Sequence, residues 1–229
     1  MEVISDLSQV EWRSNPQPQV IFLDAVGTLF GVRGSVGEMY LNVTRQFGVE
    51  MDAQLLDQAF YQSFKSMPFP MAFPGVAVTD IPGKEYDWWQ QIAVDTFQRA
   101  GIYDRFADFS AFFAQLYHYF ASPAPWIIYP ETFTMLEFWR QKGVKLGILS
   151  NFDTRIHPVL QALNLSNYFD SVTISTEVGA AKPNAEIFQA ALAKHDCLPE
   201  QAWHIGDSLK EDYEGAKSSG IRAFWLDRV

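Results

Sequence analysis

Between Gln19 and Asp24 the chain runs through an apolar stretch, QVIFLD, β-branched at Val20 and Ile21, and enters a turn at Gly27. A short run of this kind, ending on a carboxylate and a glycine turn, predicts a buried strand. A second such run, GVKLGILSN at 143–151, follows ETFTMLEFWRQKG at 131–143, where Phe133, Leu136 and Trp139 recur at helical spacing and Gly143 marks the stop. The alternation continues with IHPVLQALNL as helix, FDSVTIS as strand, AEIFQAALAKHD as helix, AWHIGD as strand, DYEGAKSSG as helix and RAFWLD as strand. That rhythm predicts βαβ units: an α/β, Rossmann-like parallel sheet with helices on its faces.

The interval 33–122 has a different texture. It offers helical periodicity at 35–48, 52–66, 86–100 and 105–120 and no convincing strand, while MPFPMAFPGVAVTDIPG at 67–83 reads as an irregular connection. The expected organisation is therefore a core domain of residues 18–32 and 123–229, interrupted after its first strand by a helical domain of residues 33–122. Residues 109–130 lack formal charge, but Gln115 and His118 interrupt the run and Pro123 and Pro125 break it, so an amphipathic helix and a turn are expected there, not a membrane span.

Composition narrows the setting. The 229 residues are 48% hydrophobic and 15% aromatic, ample for a substantial core. The single cysteine, Cys197, excludes an internal disulfide and a Cys-rich zinc site. The first twenty residues resemble neither a secretory signal nor an arginine-rich transit peptide, and the expectation is a cytoplasmic protein without membrane partners. A net charge of −10 argues against a nucleic-acid surface, since such surfaces gather Lys and Arg against phosphates. An anionic substrate must then be held by local charges.

Ligands of open parallel sheets bind outside the carboxyl ends of the strands. Those ends carry Asp24, then Ser150 and Asn151, then Asp207, with Lys182 in the loop after the third strand. Asp24 can act as a nucleophile, Ser150 and Asn151 can bind oxygens of a transferred group, and Lys182 can neutralise charge. Asp207 and Asp212 can hold a hard cation such as Mg²⁺ through oxygen ligands.

These segments resemble the haloacid dehalogenase superfamily of hydrolases, cap-bearing branch. The match lies in DAVGTL at 24–29, LSN at 149–151, AKPNAEIF at 181–188 and HIGDSLKEDYEGA at 204–216, in that order, and extends over nearly the whole chain after about residue 18. The resemblance implies a helical cap at 33–122, Asp24 as nucleophile, and Mg²⁺ held by Asp24, the backbone carbonyl of Val26, Asp207 and Asp212. It also implies a small phosphorylated substrate.

Val26 is the departure. Phosphatases of this family have DxDGT, and the second aspartate protonates the leaving oxygen and then activates water. Positioned acid–base groups of this kind are typically worth ~10²–10⁴-fold. Haloacid dehalogenases of the family place an apolar or aromatic residue there, because a departing halide needs no proton. They also work without metal, and their fourth motif tends to lack the first carboxylate, whereas Asp207 is present here. Carboxylates crowding Asp24 repel one another unless a cation sits among them or one stays protonated, and the cation is the simpler account.

Three classes of function follow: a Mg²⁺-dependent phosphatase; a dehalogenase or phosphonate-type hydrolase; and a former hydrolase retained for binding or regulation. Lys65 and Lys84, and Arg45, Arg99 and Arg105, do not fall into patterns that mark an imine-forming lysine or a carboxylate-binding arginine. Asp153 and Glu211 are expected to be solvated surface charges, and Thr28 to support its turn. His204 reads as a buried or satisfied imidazole, and His118, His157 and His195 as surface or packing residues. Trp88 and Trp89 read as helix packing, and the Met and Phe residues at 67–73 as loop packing.

Overall fold

The computed structural model describes residues 1–10 and 17–228. Its centre is a six-stranded parallel sheet: β1 (Val3–Ile4), β2 (Val20–Leu23), β5 (Lys145–Ser150), β6 (Ser171–Ile174), β7 (Ala202–Gly206) and β8 (Arg222–Leu226), in the order β1-β8-β7-β2-β5-β6. Central β2 is buried at every residue, which is why its sequence is a continuous apolar run instead of an alternating one. Alternate side chains feed two cores. Ile21 and Leu23 join Leu146, Ile148, Ile205, Met135 of α5 (Thr132–Gln141) and Val159 of α6 (Ile156–Ala162). Val20 and Phe22 face Leu149, Phe188 of α8 (Ala185–Ala193) and Ala216 of α9 (Gly215–Ser218). The α/β parallel-sheet class expected from the alternation is what the chain adopts.

Four helices occupy the middle of the chain: α1 (Val36–Thr44), α2 (Ala53–Lys65), α3 (Ile81–Arg99) and α4 (Phe109–Tyr119). Their starts are written in the sequence. Ser35 and Glu38 form a reciprocal capping box on α1, and Asp52 and Asp108 cap α2 and α4. Their apolar faces close on an aromatic cluster in which fully buried Phe97 packs against Tyr40, Phe106 and Phe112 at centroid distances of 6.0, 5.2 and 5.0 Å. No helix of the described residues is long and apolar enough to cross a membrane.

The elements differ from the sequence reading at several places, one of them a short helix, α7 (Ser175–Val178), directly after β6. β1 pairs with β8 through Val3↔Trp225 and Ile4↔Leu226, and Leu7 and Val10 are buried, so residues 3–10 contribute to the sheet and its core. Phe30–Val32 (β3) and Trp126–Ile128 (β4) form a short antiparallel ribbon at the two crossings between sheet and helices. α3 begins at Ile81, five residues before the expected start, because Pro82 falls in the first turn, where its missing N–H costs nothing. The stretch 209–214 is a π-helical turn capped by Ser208, and α9 follows it.

Candidate active site

Register sets the site. Leu23 lies opposite Ile148 of β5 and Ile205 of β7, so Asp24, Ser150 and Asp207 leave three neighbouring strands at nearly one level. The Asp24 backbone N–H also donates to the Ile205 carbonyl at 3.0 Å. The turn after Asp24 is closed by Leu29 N–H to Ala25 O and Gly27 N–H to Phe30 O, both 2.8 Å.

Two glycines make the close approach possible. Gly27 has φ +89°, and a Cβ there would lie 2.3 Å from an Asp207 carboxylate oxygen. At Gly206 a Cβ would lie 2.2 Å from the Asp212 carboxyl carbon. Any side chain at either position would displace a carboxylate, and at Gly27 the left-handed backbone adds its own penalty. As a result Asp24, Asp207 and Asp212 each present an oxygen within 4.8 Å of the others.

Lys182 is 3% exposed and uses its ammonium as a three-way tie. Nζ donates to Asp24 Oδ1 at 2.7 Å, to the Leu149 carbonyl at 3.0 Å, and to Asp212 Oδ1. Burial alone would lower its pKa, but the Asp212 and Asp24 charges outweigh that and raise it, so it stays an ammonium. Burial also works against Asp212, yet Lys182 and His204 hold its carboxyl well below the usual range. Asp24 is raised, chiefly by burial, with Lys182 and the Ser150 hydroxyl pulling the other way. Asp207 faces solvent, but partial loss of hydration and the Asp24 and Asp212 charges push it up to about 7. Three carboxylates thus share one ammonium, and when all three are ionised two negative charges are left without a partner, an arrangement a divalent cation would neutralise.

The remaining expected residues take specific places. Asn151 ties two loops: Oδ1 accepts from Lys182 N–H at 2.7 Å, while Nδ2 donates to Lys182 O at 3.0 Å and Glu211 Oε2 at 3.2 Å. Both its amide hydrogens are engaged within the protein. Val26 is half-buried against the apolar core. Buried His204 supports Asp212, with Nε2 and Oδ1 2.8 Å apart.

Asp153 is not the solvated charge expected; it is fully buried. Its Oδ2 accepts from Trp89 Nε1 at 2.7 Å, and Arg155 pairs with it while stacking 3.9 Å over the Tyr117 ring. Trp89 therefore does more than pack its own helix. Beside it, buried Glu85 of α3 accepts from Thr154 N–H at 2.9 Å and from the Thr154 hydroxyl. Glu211, although exposed, is held by Asn151 instead of standing alone in solvent. The signal for Asp153 was its place two residues beyond Asn151, since a loop leaving a buried strand end carries its polar groups inward with it. An open groove of about 550 Å³ between His118, Ala121, Ser122, Pro158, Gln161 and Ala162 includes none of the strand-end residues.

Known proteins share this architecture and sequence. The chain is 35% identical over 210 residues to haloacid dehalogenase-like hydrolase domain-containing protein 3 of Bos taurus, covering 91% of this chain and 81% of that protein. A phosphatase of the superfamily from Thermococcus onnurineus superposes with a TM-score of 0.58 at 24% identity, covering 92% of this chain and 86% of that one. L-2-haloacid dehalogenase from Xanthobacter autotrophicus gives 0.65 at 18% identity over 93% and 79%. A phosphatase and a dehalogenase are thus both similar in fold, and fold alone does not choose between them. The family model for haloacid dehalogenase-like hydrolases matches residues 18–220, and with the four strand-end segments assembled as described, the chain belongs to the haloacid dehalogenase-like hydrolases.

Proposed function

We propose that this hydrolase is a Mg²⁺-dependent phosphatase of small phosphorylated metabolites, with Asp24 as nucleophile. The observation that carries this reading is the convergence of Asp24, Asp207 and Asp212 within 4.8 Å beside a single buried ammonium. A metal-free displacement of halide from carbon has no use for Asp207, whose charge opposes that of the nucleophile. Asp24, the Val26 carbonyl and Asp207 would hold the cation, with Asp212 in or directly behind that set. When bound, Mg²⁺ supplies charge neutralisation to the phosphoryl oxygens.

The chain's own residues do the rest. An Asp24 carboxylate oxygen attacks phosphorus, the bond from phosphorus to the substrate oxygen breaks, and an aspartyl-phosphate forms as that oxygen leaves as an alkoxide, which takes its proton from solvent. Lys182 fixes the Asp24 carboxylate through Oδ1, and the Ser150 hydroxyl bonds the same group. With its amide engaged, Asn151 serves by joining the Lys182 loop to the strand end. Water then attacks phosphorus, the bond to Asp24 breaks, and inorganic phosphate leaves. Val26 can neither protonate the departing alcohol nor activate that water. We place the cap at residues 33–122 and the core at 18–32 and 123–229, with residues 1–10 added to the core. The cap excludes bulk water from the strand ends.

The apolar Val26 favours a second reading, a dehalogenase, in which no leaving-group proton is needed. A panel of phosphate esters and haloacids, run with Mg²⁺ and with chelator on the native chain and Asp24→Asn, tests both. Phosphate release that requires Mg²⁺ and Asp24 is expected. Halide release insensitive to chelator would establish the second reading, and inactivity throughout would count against both and promote the binding reading.

A further inference from the structure

The strand-end carboxylates come from two loops, and both loops are held from one other segment. At the end of β8, Trp225 donates its indole N–H to the backbone carbonyl of Asp207 at 2.9 Å. Three residues on, Arg228 reaches the turn after Asp24: Nε donates to Gly27 O at 3.0 Å and Nη2 to Thr28 O at 2.8 Å. The same Nη2 meets Glu131 Oε1 at 2.5 Å, and the guanidinium lies 3.8 Å from the centre of the Tyr129 ring. The guanidinium is thus fixed on three sides: by carboxylate, by ring face and by two backbone carbonyls.

Those carbonyls belong to the residues that bring Asp207 close to Asp24. Gly27 is the residue whose α-carbon abuts the Asp207 carboxylate, so a shift of the turn by a few tenths of an ångström changes the separation of the two groups. A planar fork on consecutive carbonyls resists such a shift, which a single ammonium cannot do. The charge itself has little left to give, because Glu131 pairs with it.

We infer that Arg228, with Trp225, is a positioning clamp that fixes the Asp24 turn against the Asp207 loop and so sets the geometry of the cation site. The inference rests on the Mg²⁺ reading for its functional consequence and on the hydrogen bonds alone for its structural one.

Arg228→Ala and Arg228→Lys are compared with the native chain by Mg²⁺ titration calorimetry, by amide hydrogen exchange without metal, and by steady-state kinetics at saturating Mg²⁺. Both variants should bind Mg²⁺ about tenfold more weakly, the scale typical of losing a support behind a ligand. Exchange at Gly27, Leu29 and Phe30 should quicken, and kcat should fall while KM stays within about twofold. The lysine variant keeps the charge and folds without a buried vacancy, so full recovery of affinity in Arg228→Lys would overturn the fork. Native exchange and native affinity in Arg228→Ala would overturn the clamp altogether. If the native chain binds no Mg²⁺ but exchange at the turn quickens in both variants, the clamp stands and the cation reading falls.

Discussion

The helical region and the carboxyl edge of the sheet bury side chains on opposite terms. Around Phe97, Phe112 and Tyr40 the interior is rings and aliphatic chains, and its buried polar groups are few, among them Thr44, Ser63 and Thr96. At the strand ends Asp24, Ser150, Lys182, His204 and Asp212 are all buried within one neighbourhood. Removing charges from water costs several kcal/mol per ion unless partners replace the hydration. The first interior is therefore where the chain gains stability, and the second is where it spends stability on an arrangement that chemistry needs. Between them lies a polar seam, Glu85 and Trp89 against Thr154 and Asp153, which joins helices to sheet without exposing either core.

Truncation should separate the two interiors. Phe97→Ala removes the centre of the aromatic cluster and should cost about 3–5 kcal/mol in denaturant unfolding while leaving the strand-end residues in place. A loss under about 1 kcal/mol would mean the cluster is not the stabilising centre it is taken to be. At the other interior, Asp207→Ala removes one of the crowded carboxylates. It should leave the metal-free thermal midpoint level or higher, yet weaken Mg²⁺ by about tenfold or more. In the native chain Mg²⁺ affinity should also climb as pH rises through about 7, where Asp207 loses its proton to solvent and its carboxylate is free to bind the cation. Affinity independent of pH between 6 and 8 would remove Asp207 from the site.

The seam gives the smallest effect. Burial raises the pKa of Glu85 above its ordinary 4.5, against hydrogen bonds from Thr154 and Thr176 that lower it. Between the unfolded value and the raised folded value the native state holds a proton that the unfolded chain has released. The contribution to stability is thus complete below the unfolded pKa and declines as pH rises through the folded one. Glu85→Gln cannot titrate, so its stability should change less with pH across that window, with a difference within about 1 kcal/mol of native at pH 5. Identical pH dependence for both proteins would show that Glu85 is not the titrating group of the seam.

What the sequence made legible follows the same division. Buried parallel strands are continuous apolar runs, so β2, β5 and β7 declare themselves, and with them the strand-end positions of Asp24, Ser150 and Asp207. Strand β1 is two residues long and carries no such run. Pro82 and Gly83 obscured the start of α3, because the residues that break a helix interior are acceptable in its first turn. The hardest features to read were the charges whose partners are remote in sequence. Asp153 looks like a surface aspartate until Trp89 is brought to it across 64 residues, and Arg228 finds its carbonyl partners 201 and 200 residues away. Local pattern records which face of an element is apolar; it does not record which distant backbone group a guanidinium will meet.

The central claim is that Asp24 carries a phosphoryl group whose formation survives Val26 and whose breakdown is slowed by it. Rapid-mixing measurement of aspartyl-phosphate formation and decay, in the Mg²⁺-loaded native chain and in Val26→Asp, addresses it directly. A long-lived intermediate in the native chain, shortened by up to ~10²–10⁴-fold in the variant, is the predicted result. An intermediate that forms on Asp24 but decays equally fast in both proteins would contradict the account of Val26, and an active native chain that never accumulates phosphate on Asp24 would contradict the claim itself.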